Sequence, residues 1–319
     1  MNISEGLIIA AQIAGGFILL FFGGDWLVDG GVALARRYRI SALVIGMTIV
    51  AFGTSAPELL VSTTSSIKGS SGIAMGNVLG SNIANIGLIL GLTALIYPIM
   101  TQGRKVAGNG LFMVAVSIVL LLFSLHNGLS RAEGIILFSV IVLFTLYSIA
   151  KGRTANSENS SDAEVKVKQM SAAVALLLVL LSCFMLAFGA DLLVDGATSL
   201  ASALGVNDKI IGLTVVAFGT SLPELAASVA AAIKKEMDIS IGNIIGSNIF
   251  NILCVLGISA LIKPIDFSFS QYNRDFIVMI LFSVALVILS QPWKQEGRLG
   301  RTAGFLLFAA YVVYVWFLF

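Results

Sequence analysis

The chain has 319 residues, of which 58% are hydrophobic and 11% are charged, and its mean hydropathy is +0.99. Soluble domains carry about 25% charged residues, so this composition excludes a soluble globular protein and indicates an integral membrane protein. The net charge of +2 gives no reason to expect a nucleic-acid partner, and two cysteines in apolar stretches do not indicate a disulfide framework.

Ten apolar stretches are long enough to cross a bilayer, because a hydrocarbon core about 30 Å thick takes about 20 apolar residues of helix. They are 6–35, 40–67, 72–97, 106–125, 132–150, 169–201, 210–233, 239–262, 275–291 and 302–319. The first has no basic leader and no clear cleavage site, so we expect it to remain as a span. The predicted fold class is an all-α polytopic membrane protein with ten transmembrane helices.

A polar stretch at 151–168 interrupts the spans, and its Ser, Asn and mixed charges predict a flexible linker. It divides the chain into a first unit at 1–150 and a second at 169–319. Fourteen Lys and Arg residues fall in odd-numbered connections between spans and five in even-numbered ones. The positive-inside rule therefore predicts a multi-pass protein of the plasma (inner) membrane, with a cytoplasmic linker and both termini outside.

The chain repeats itself at an offset of 166 residues. Between 46–99 and 212–265, 30 of 54 positions are identical without a gap, and the same offset pairs Asp25 with Asp191. Each unit holds five predicted spans, so the second must enter the bilayer from the opposite side. This is an inverted-topology repeat, and its axis brings equivalent residues face to face near the membrane midplane.

Two copies of one motif place a carboxylate inside an apolar span. They read AFGTSAPE at 51–58 and AFGTSLPE at 217–224. A carboxylate in the bilayer costs about 2.5–3.5 kcal/mol on insertion scales and is typical of sites for ions, protons or counter-charges. No Lys or Arg lies in the neighbouring core spans to pair with Glu58 or Glu224, so a mobile cation is the missing partner.

The proline before each Glu predicts a broken helix at the membrane midplane. Pro57 cannot donate a backbone hydrogen bond to the carbonyl of Gly53, so the helix should break around 51–57 and leave carbonyl oxygens free. Thr54 lies four residues before Glu58 on the same helix face. The second copy repeats this arrangement with Thr220, Ser221, Pro223 and Glu224.

A second motif follows about twenty residues later in each unit, as GNVLGSNIANI at 76–86 and GNIIGSNIFNI at 242–252. Its polar residues recur every four positions on one helix face, as Asn77, Ser81 and Asn85, then Asn243, Ser247 and Asn251. With the two Glu residues they form an all-oxygen set. Such a set suits a hard cation such as calcium, whereas zinc or copper favours His or Cys.

Structural interpretations of both motifs stand beside this one. A Pro-Glu pair can form a kink whose protonated Glu bonds to a neighbouring helix, and the Gly-rich motif can serve helix packing alone. Asn77 and Asn243 can orient ligands instead of binding ions. We interpret the aspartates near the polar ends of the long spans as structural residues: Asp25, Asp29, Asp191 and Asp195.

Both motif pairs resemble those of the cation/calcium antiporter superfamily, especially the compact prokaryotic sodium/calcium exchangers, and the resemblance covers nearly the whole chain. It implies an antiporter that exchanges calcium for sodium by alternating access, with no cofactor and no enzymatic activity, and we expect a monomer. Glu58 and Glu224 would be the central calcium ligands, completed by the carbonyls of Thr54 and Thr220. The sodium ligands would be Ala51, Thr54, Ser55 and Ser81 in one unit, and Ala217, Thr220, Ser221 and Ser247 in the other.

One position departs from this pattern, because several such exchangers carry Asp where this chain has Asn251, opposite Asn85. Both amides join the candidate ligands, but the cavity holds two acids, which leaves a calcium/proton or potassium-dependent antiporter open. An intramembrane enzyme is disfavoured because no predicted span holds a His. A passive calcium channel would differ by lacking obligatory exchange. The long first and sixth spans would be the moving pair.

Overall fold

The computed structural model describes residues 3–157, 170–205 and 217–318, and over these residues the protein is mostly helical. The first residues of the predicted flexible linker, 151–157, are helical, so that part of the prediction is wrong, and the rest of the linker lies outside the described residues. The first part of the seventh predicted span, 210–216, also lies outside them.

The helices of the first unit follow the predicted spans closely. They are α1 (Ile3–Tyr38), α2 (Ala42–Ile45), α3 (Ala51–Thr54), α4 (Ala56–Ile67), α5 (Ser71–Ala84), α6 (Gly91–Ile96), α7 (Gly103–Ser124) and α8 (Arg131–Ser157). Two short π-helical stretches join neighbouring helices into longer ones, at Gly46–Val50 and Asn85–Leu90.

The second unit has the same order of elements where it is described. Its helices are α9 (Ala172–Ala203), α10 (Ala217–Gly219), α11 (Leu222–Ile233), α12 (Met237–Phe250), α13 (Gly257–Ile262), α14 (Phe269–Leu289) and α15 (Arg301–Trp316). A π-helical stretch at Asn251–Leu256 joins α12 to α13, at the position equivalent to Asn85–Leu90.

In the described part of the chain, seven helices are long and apolar enough to cross a membrane. An eighth span results if α2, α3 and α4 are taken together, since Ala42–Thr54 and Ala56–Ile67 meet at a bend of 48°. The two other predicted spans correspond to the shorter apolar helices α11, of 12 residues, and α15, of 16 residues. The protein is therefore a helical, multi-pass membrane protein.

Two helices form the centre of the molecule. The buried share of the most apolar stretch is 78% in the continuous helix Gly72–Ile96 and 89% in Met237–Ile262. The same share is 17% in α1. These two central helices carry the second sequence motif. Their positions explain why the motif combines small and polar residues, since every face of the helix meets protein.

Glycines bring the central helix α12 against the backbone of the bent span. A Cβ added at Gly246 would lie 2.5 Å from the carbonyl oxygen of Met47 and 2.8 Å from the Cβ of Ala51. One added at Gly242 would lie 2.6 Å from the carbonyl oxygen of Leu43. This close approach holds the start of the first motif against the helix of the other unit.

The long helices α1 and α9 also pack on each other through glycines. A Cβ on Gly16 would lie 2.8 Å from the carbonyl oxygen of Gly189, and one on Gly189 would lie 2.8 Å from the Cβ of Leu19. The first and sixth spans, which the sequence singles out as a pair, are therefore in direct contact.

Two small antiparallel sheets join connecting segments of the two units. Strand β1 (Ile99–Thr101) pairs with β4 (Gly297–Leu299), and β2 (Gly128–Leu129) pairs with β3 (Ile265–Asp266). The all-α prediction missed them because strands of two or three residues show no periodicity. The first sheet joins the third and ninth predicted connections, and the second joins the fourth and eighth, so each sheet joins connections predicted on the same side of the membrane.

The glycine contact at α12 predicts a site-specific loss of stability. We expect Gly246→Ala to lower the midpoint of thermal unfolding by about 5 °C, because the methyl group meets backbone that cannot turn aside. Gly108→Ala in α7 is the control, since a Cβ there meets nothing within 4 Å. Equal midpoints for the two variants in a fluorescence melting assay would contradict this packing.

Candidate functional site

A break in each bent span positions the two carboxylates. The α-helix is interrupted at Ser55, whose φ and ψ are −86° and 10°, and at Ser221, with −88° and 0°. A new helix begins directly after each serine, with proline in its first turn and Glu58 or Glu224 beside it. The break predicted around 51–57 is confirmed. Each Glu lies at a helix N-terminus, where the helix dipole stabilises its negative charge.

The two carboxylates are buried and largely unpartnered. Glu58 is 1% exposed and Glu224 is 0% exposed. In the described part of the chain, neither oxygen of Glu58 has a hydrogen-bond partner, and neither does Oε2 of Glu224. The salt bridges there involve neither carboxylate. Burying a charge without a partner is costly, so this pair of acids requires a cation or a proton.

A hydrogen bond between the two units shows that the two motifs meet. Ser55 Oγ donates to Glu224 Oε1 at 2.9 Å, and Glu58 lies close enough to Glu224 for their charges to interact. The equivalent hydroxyl, Ser221 Oγ, is buried and has no hydrogen-bond partner among the described residues. The two halves of the site are therefore chemically equivalent but differ in conformation.

Two asparagines hold the carboxylate-bearing helices in place. Asn77 Nδ2 donates to the carbonyl oxygen of Glu58 at 3.3 Å and to Ser62 Oγ at 2.9 Å. Asn243 Nδ2 makes the equivalent bonds, to the carbonyl oxygen of Glu224 at 3.4 Å and to Ser228 Oγ at 3.0 Å. These contacts favour the orienting role over direct ion binding for both amides.

The hydroxyl of Thr54 lies between the two units. Its Oγ1 donates to Asn243 Oδ1 at 3.1 Å, lies 3.3 Å from the carbonyl oxygen of Ala51 and 3.5 Å from Ser247 Oγ. Thr54 is fully buried, whereas its equivalent Thr220 is only half-buried. The structure therefore brings Ala51, Thr54 and Ser247 together, as the all-oxygen hypothesis requires.

Four asparagines cross-link the central helices. Asn85 Nδ2 donates to Asn248 Oδ1 at 3.0 Å, and Asn251 Nδ2 donates to Asn82 Oδ1 at 3.1 Å. Asn82 and Asn248 also donate to each other's carbonyl oxygens, at 3.2 and 3.4 Å. These bonds use the amide nitrogens of Asn85 and Asn251, and the Oδ1 atoms of both remain buried without a hydrogen-bond partner among the described residues.

Sequence reasoning missed Asn82 and Asn248, although the GSNI motif contains both. Their spacing places them off the face that carries Asn77, Ser81 and Asn85, so the four-residue periodicity does not select them. The usable signal was their identity in both copies at the same offset. Among the remaining candidates, Ser81 is buried, and Ala217 begins α10, where only its backbone is described.

The donors at this site are oxygens. They comprise carboxylates, hydroxyls and amide oxygens, and no group of three or more His, Cys, Asp or Glu residues exists in the described ranges to form another metal centre. Both cysteines are free thiols. Such a donor set matches hard cations with flexible coordination rather than thiophilic metals.

Comparisons with known proteins identify relatives over nearly the whole chain. A family model described as "Sodium/calcium exchanger protein" matches residues 8–150 and 174–319. The putative antiporter CaxA of Alkalimonas amylolytica is 39% identical over 95% of this chain and 96% of its own length. The sodium/calcium exchanger MaX1 of Methanosarcina acetivorans is 32% identical, again over 95% and 96%.

A solved structure agrees with the fold. The sodium-calcium exchanger NCX_Mj, soaked with Na⁺ and Sr²⁺, superposes with a TM-score of 0.83 at 34% identity. The match covers 97% of this chain and 98% of that one. Sequence and structure comparisons therefore agree over both units of the chain.

The asparagine network predicts a stability effect away from the carboxylates. We expect Asn248→Ala to cost about 2 kcal/mol of stability, because it leaves the amide nitrogen of Asn85 buried without a partner and removes a donor from the carbonyl oxygen of Asn82. Asn273→Ala, at an exposed asparagine in α14, is the control. Thermal melting monitored by size-exclusion chromatography tests this, and an unchanged midpoint for Asn248→Ala would show that the network contributes no stability.

Proposed function

The chain belongs to the sodium/calcium exchanger protein family, and on that premise we propose that it exchanges calcium for sodium across the membrane by alternating access. Membership makes it a cation transporter. The identity of the exchanged ions is our proposal, and it depends on the chemistry of the buried site.

One observation carries the proposal: two fully buried carboxylates, one from each unit, meet without a protein counter-charge in the described chain. Two negative charges are neutralised by one Ca²⁺ ion or by sodium ions. The two kinds of ion would need the same oxygens, so they cannot be bound there together. Competition for these oxygens couples the two opposing fluxes.

We assign the central calcium ligands to the carboxylates of Glu58 and Glu224 and the carbonyls of Thr54 and Thr220. Calcium takes six to eight oxygens, and the free Oδ1 atoms of Asn85 and Asn251 are further candidate donors. The remaining members of the proposed sodium sites are Ala51, Ser55 and Ser81 in one unit, and Ala217, Ser221 and Ser247 in the other.

The proposal includes ten spans arranged as two inverted five-helix units, with both termini outside. Several pairs of equivalent features support it. The Asn77–Ser62 and Asn243–Ser228 bonds are 166 residues apart, as are the π-helical stretches that follow Ala84 and Phe250. Both sheets also join connections of the same predicted side. The excess of Lys and Arg in the odd-numbered connections supports the orientation.

A calcium/proton antiporter is the second candidate. Asn85 and Asn251 do not titrate, so the two Glu carboxylates are the only acidic side chains among the proposed ligands, and protons could take the place of sodium on them. Sodium dependence of transport separates the two functions.

We expect calcium uptake to require an outward sodium gradient and to be lost in Glu58→Gln and in Glu224→Gln. Each substitution removes one of the two charges that neutralise calcium. The measurement is radiolabelled calcium uptake into proteoliposomes loaded with sodium, potassium or protons. Glu296→Gln, an exposed acid in a connecting segment, is the matched control. Uptake driven by a proton gradient alone would favour the second candidate, and normal uptake by both Gln variants would refute the assigned site.

We also expect calcium to stabilise the detergent-solubilised protein without any gradient. A ligand at about a hundred times its dissociation constant adds about 2.7 kcal/mol to the stability of a protein that binds it only when folded. Calcium should raise the melting midpoint of the wild type and of Glu296→Gln, and sodium should reduce that gain by competition. A calcium-induced gain that survives in Glu58→Gln would place the binding site elsewhere.

A further inference from the structure

A lysine at the end of α11 pairs with two acids of the long helix α1. Lys234 Nζ lies 2.7 Å from Asp25 Oδ1 and 2.6 Å from Asp29 Oδ1, and it donates to the carbonyl oxygen of Asp25 at 2.8 Å. Glu236 is a charged neighbour of Lys234 and Asp29, and Arg36 is in turn a neighbour of Glu236. We call Lys234, Asp25 and Asp29 the first latch.

The first latch closes a tight helix contact. A Cβ added at Gly24, next to Asp25, would lie 2.8 Å from the carbonyl oxygen of Ala226 and 3.3 Å from the Cβ of Ala230. Helix α1 therefore rests on the backbone of α11, the helix that begins beside Glu224. The lysine at the end of α11 then holds the aspartates of α1 on the same face.

The 166-residue repeat places the same residues in the other half. Lys68 is equivalent to Lys234, while Asp191 and Asp195 on α9 are equivalent to Asp25 and Asp29. All three are exposed, and none takes part in a salt bridge among the described residues. We call Lys68, Asp191 and Asp195 the second latch, which is open in this structure.

The helix contact of the second half is open as well. Leu60 on α4 is equivalent to Ala226, and it is 67% exposed. Thr64, equivalent to Ala230, is also exposed. The two halves therefore have the same latch residues in different conformations: α1 is joined to α11, whereas the face of α4 that would receive α9 is uncovered.

We propose that the two latches close alternately during transport, so that Lys68 pairs with Asp191 and Asp195 when Lys234 releases Asp25 and Asp29. This inference rests on the proposed alternating-access function. In the proposed orientation the first latch lies at the cytoplasmic face and the second at the outer face. The structure is then the state that is closed to the cytoplasm. The uncovered face of α4 lies on the outer side, next to the second latch.

The inverted repeat supplies the physical reason. Exchanging the conformations of two equivalent halves converts one state of such a transporter into the other. The helices that move, α1 and α9, are in contact through Gly16 and Gly189, so movement of one carries the other. An ion pair at each end is then formed in one state and broken in the other, which keeps the two states close in free energy.

A disulfide reporter tests whether the second latch closes. Ala190 and Thr64 are equivalent to Gly24 and Ala230, whose Cβ positions are 3.3 Å apart here. Because Ala190 already carries a Cβ, α9 would rest on α4 at a slightly greater distance, nearer the roughly 3.8 Å that a disulfide needs. Ala190→Cys with Thr64→Cys, in a background carrying Cys183→Ala and Cys254→Ala, should cross-link under copper–phenanthroline oxidation only when α9 rests on α4. The readout is the rate of cross-linking in proteoliposomes on non-reducing gels.

We expect Lys234→Gln to raise this rate about fivefold and Lys68→Gln to lower it about fivefold, since partly exposed ion pairs shift an equilibrium by no more than that. Asp29→Asn and Asp195→Asn should act in the same directions and serve if a lysine variant folds poorly. Lys234→Arg should preserve the wild-type rate. Lys235→Gln, at the exposed neighbouring lysine, is the matched control.

Opposite changes from the two lysine variants support the alternating latches, because a general loss of stability would move both rates in the same direction. Equal changes, or no change in either, would overturn the proposal. The outcome is independent of the transported ion. If the two lysine variants change the cross-linking rate in opposite directions but calcium uptake does not depend on sodium, the alternating latches are supported and the proposed sodium coupling is wrong.

Discussion

The structure depends on the burial of two carboxylates that the described protein leaves without a counter-charge. Glu58 and Glu224 reach the centre of the molecule because each span that carries them breaks at a serine and restarts with proline. Neither carboxylate has a basic partner there, so the site is electrically incomplete until a cation or proton arrives. The cost of burying two carboxylates without a counter-charge is therefore recovered when a cation or proton binds.

The surrounding polar groups keep this site open to ions without adding charge. The amides of Asn77 and Asn243 donate to backbone carbonyls and hydroxyls, and they hold the carboxylate-bearing helices at a set position. The amide nitrogens of Asn85 and Asn251 donate to the side-chain oxygens of Asn248 and Asn82. The side-chain oxygens of Asn85 and Asn251 themselves receive no hydrogen bond among the described residues. The buried oxygens of Glu58, Asn85 and Asn251 therefore remain as unpaired acceptors in the described chain, which is what a hard cation needs.

The two halves have matching sequences but different conformations. Ser55 bonds to Glu224, whereas Ser221 has no partner among the described residues, and Thr54 is buried where Thr220 is half-buried. The same asymmetry extends to the ends of the long helices, where Lys234 is paired and Lys68 is exposed. In the proposed alternating-access cycle, the second state would be this arrangement with the conformations of the two halves exchanged.

The sequence by itself determined the features set by local chemistry: the apolar spans, the repeat, the helix break just before Pro57 and the two acids. Tertiary structure decided what joins distant segments, such as the bond between Asn82 and Asn251 and the sheets of two and three residues. Such contacts have no periodic signal along the chain. Tertiary structure also decided which latch is closed. The repeat gives Asp25 and Asp191 similar local sequences. The packing of α1 on α11, without an equivalent contact of α9 on α4, is what leaves Asp25 paired and Asp191 exposed.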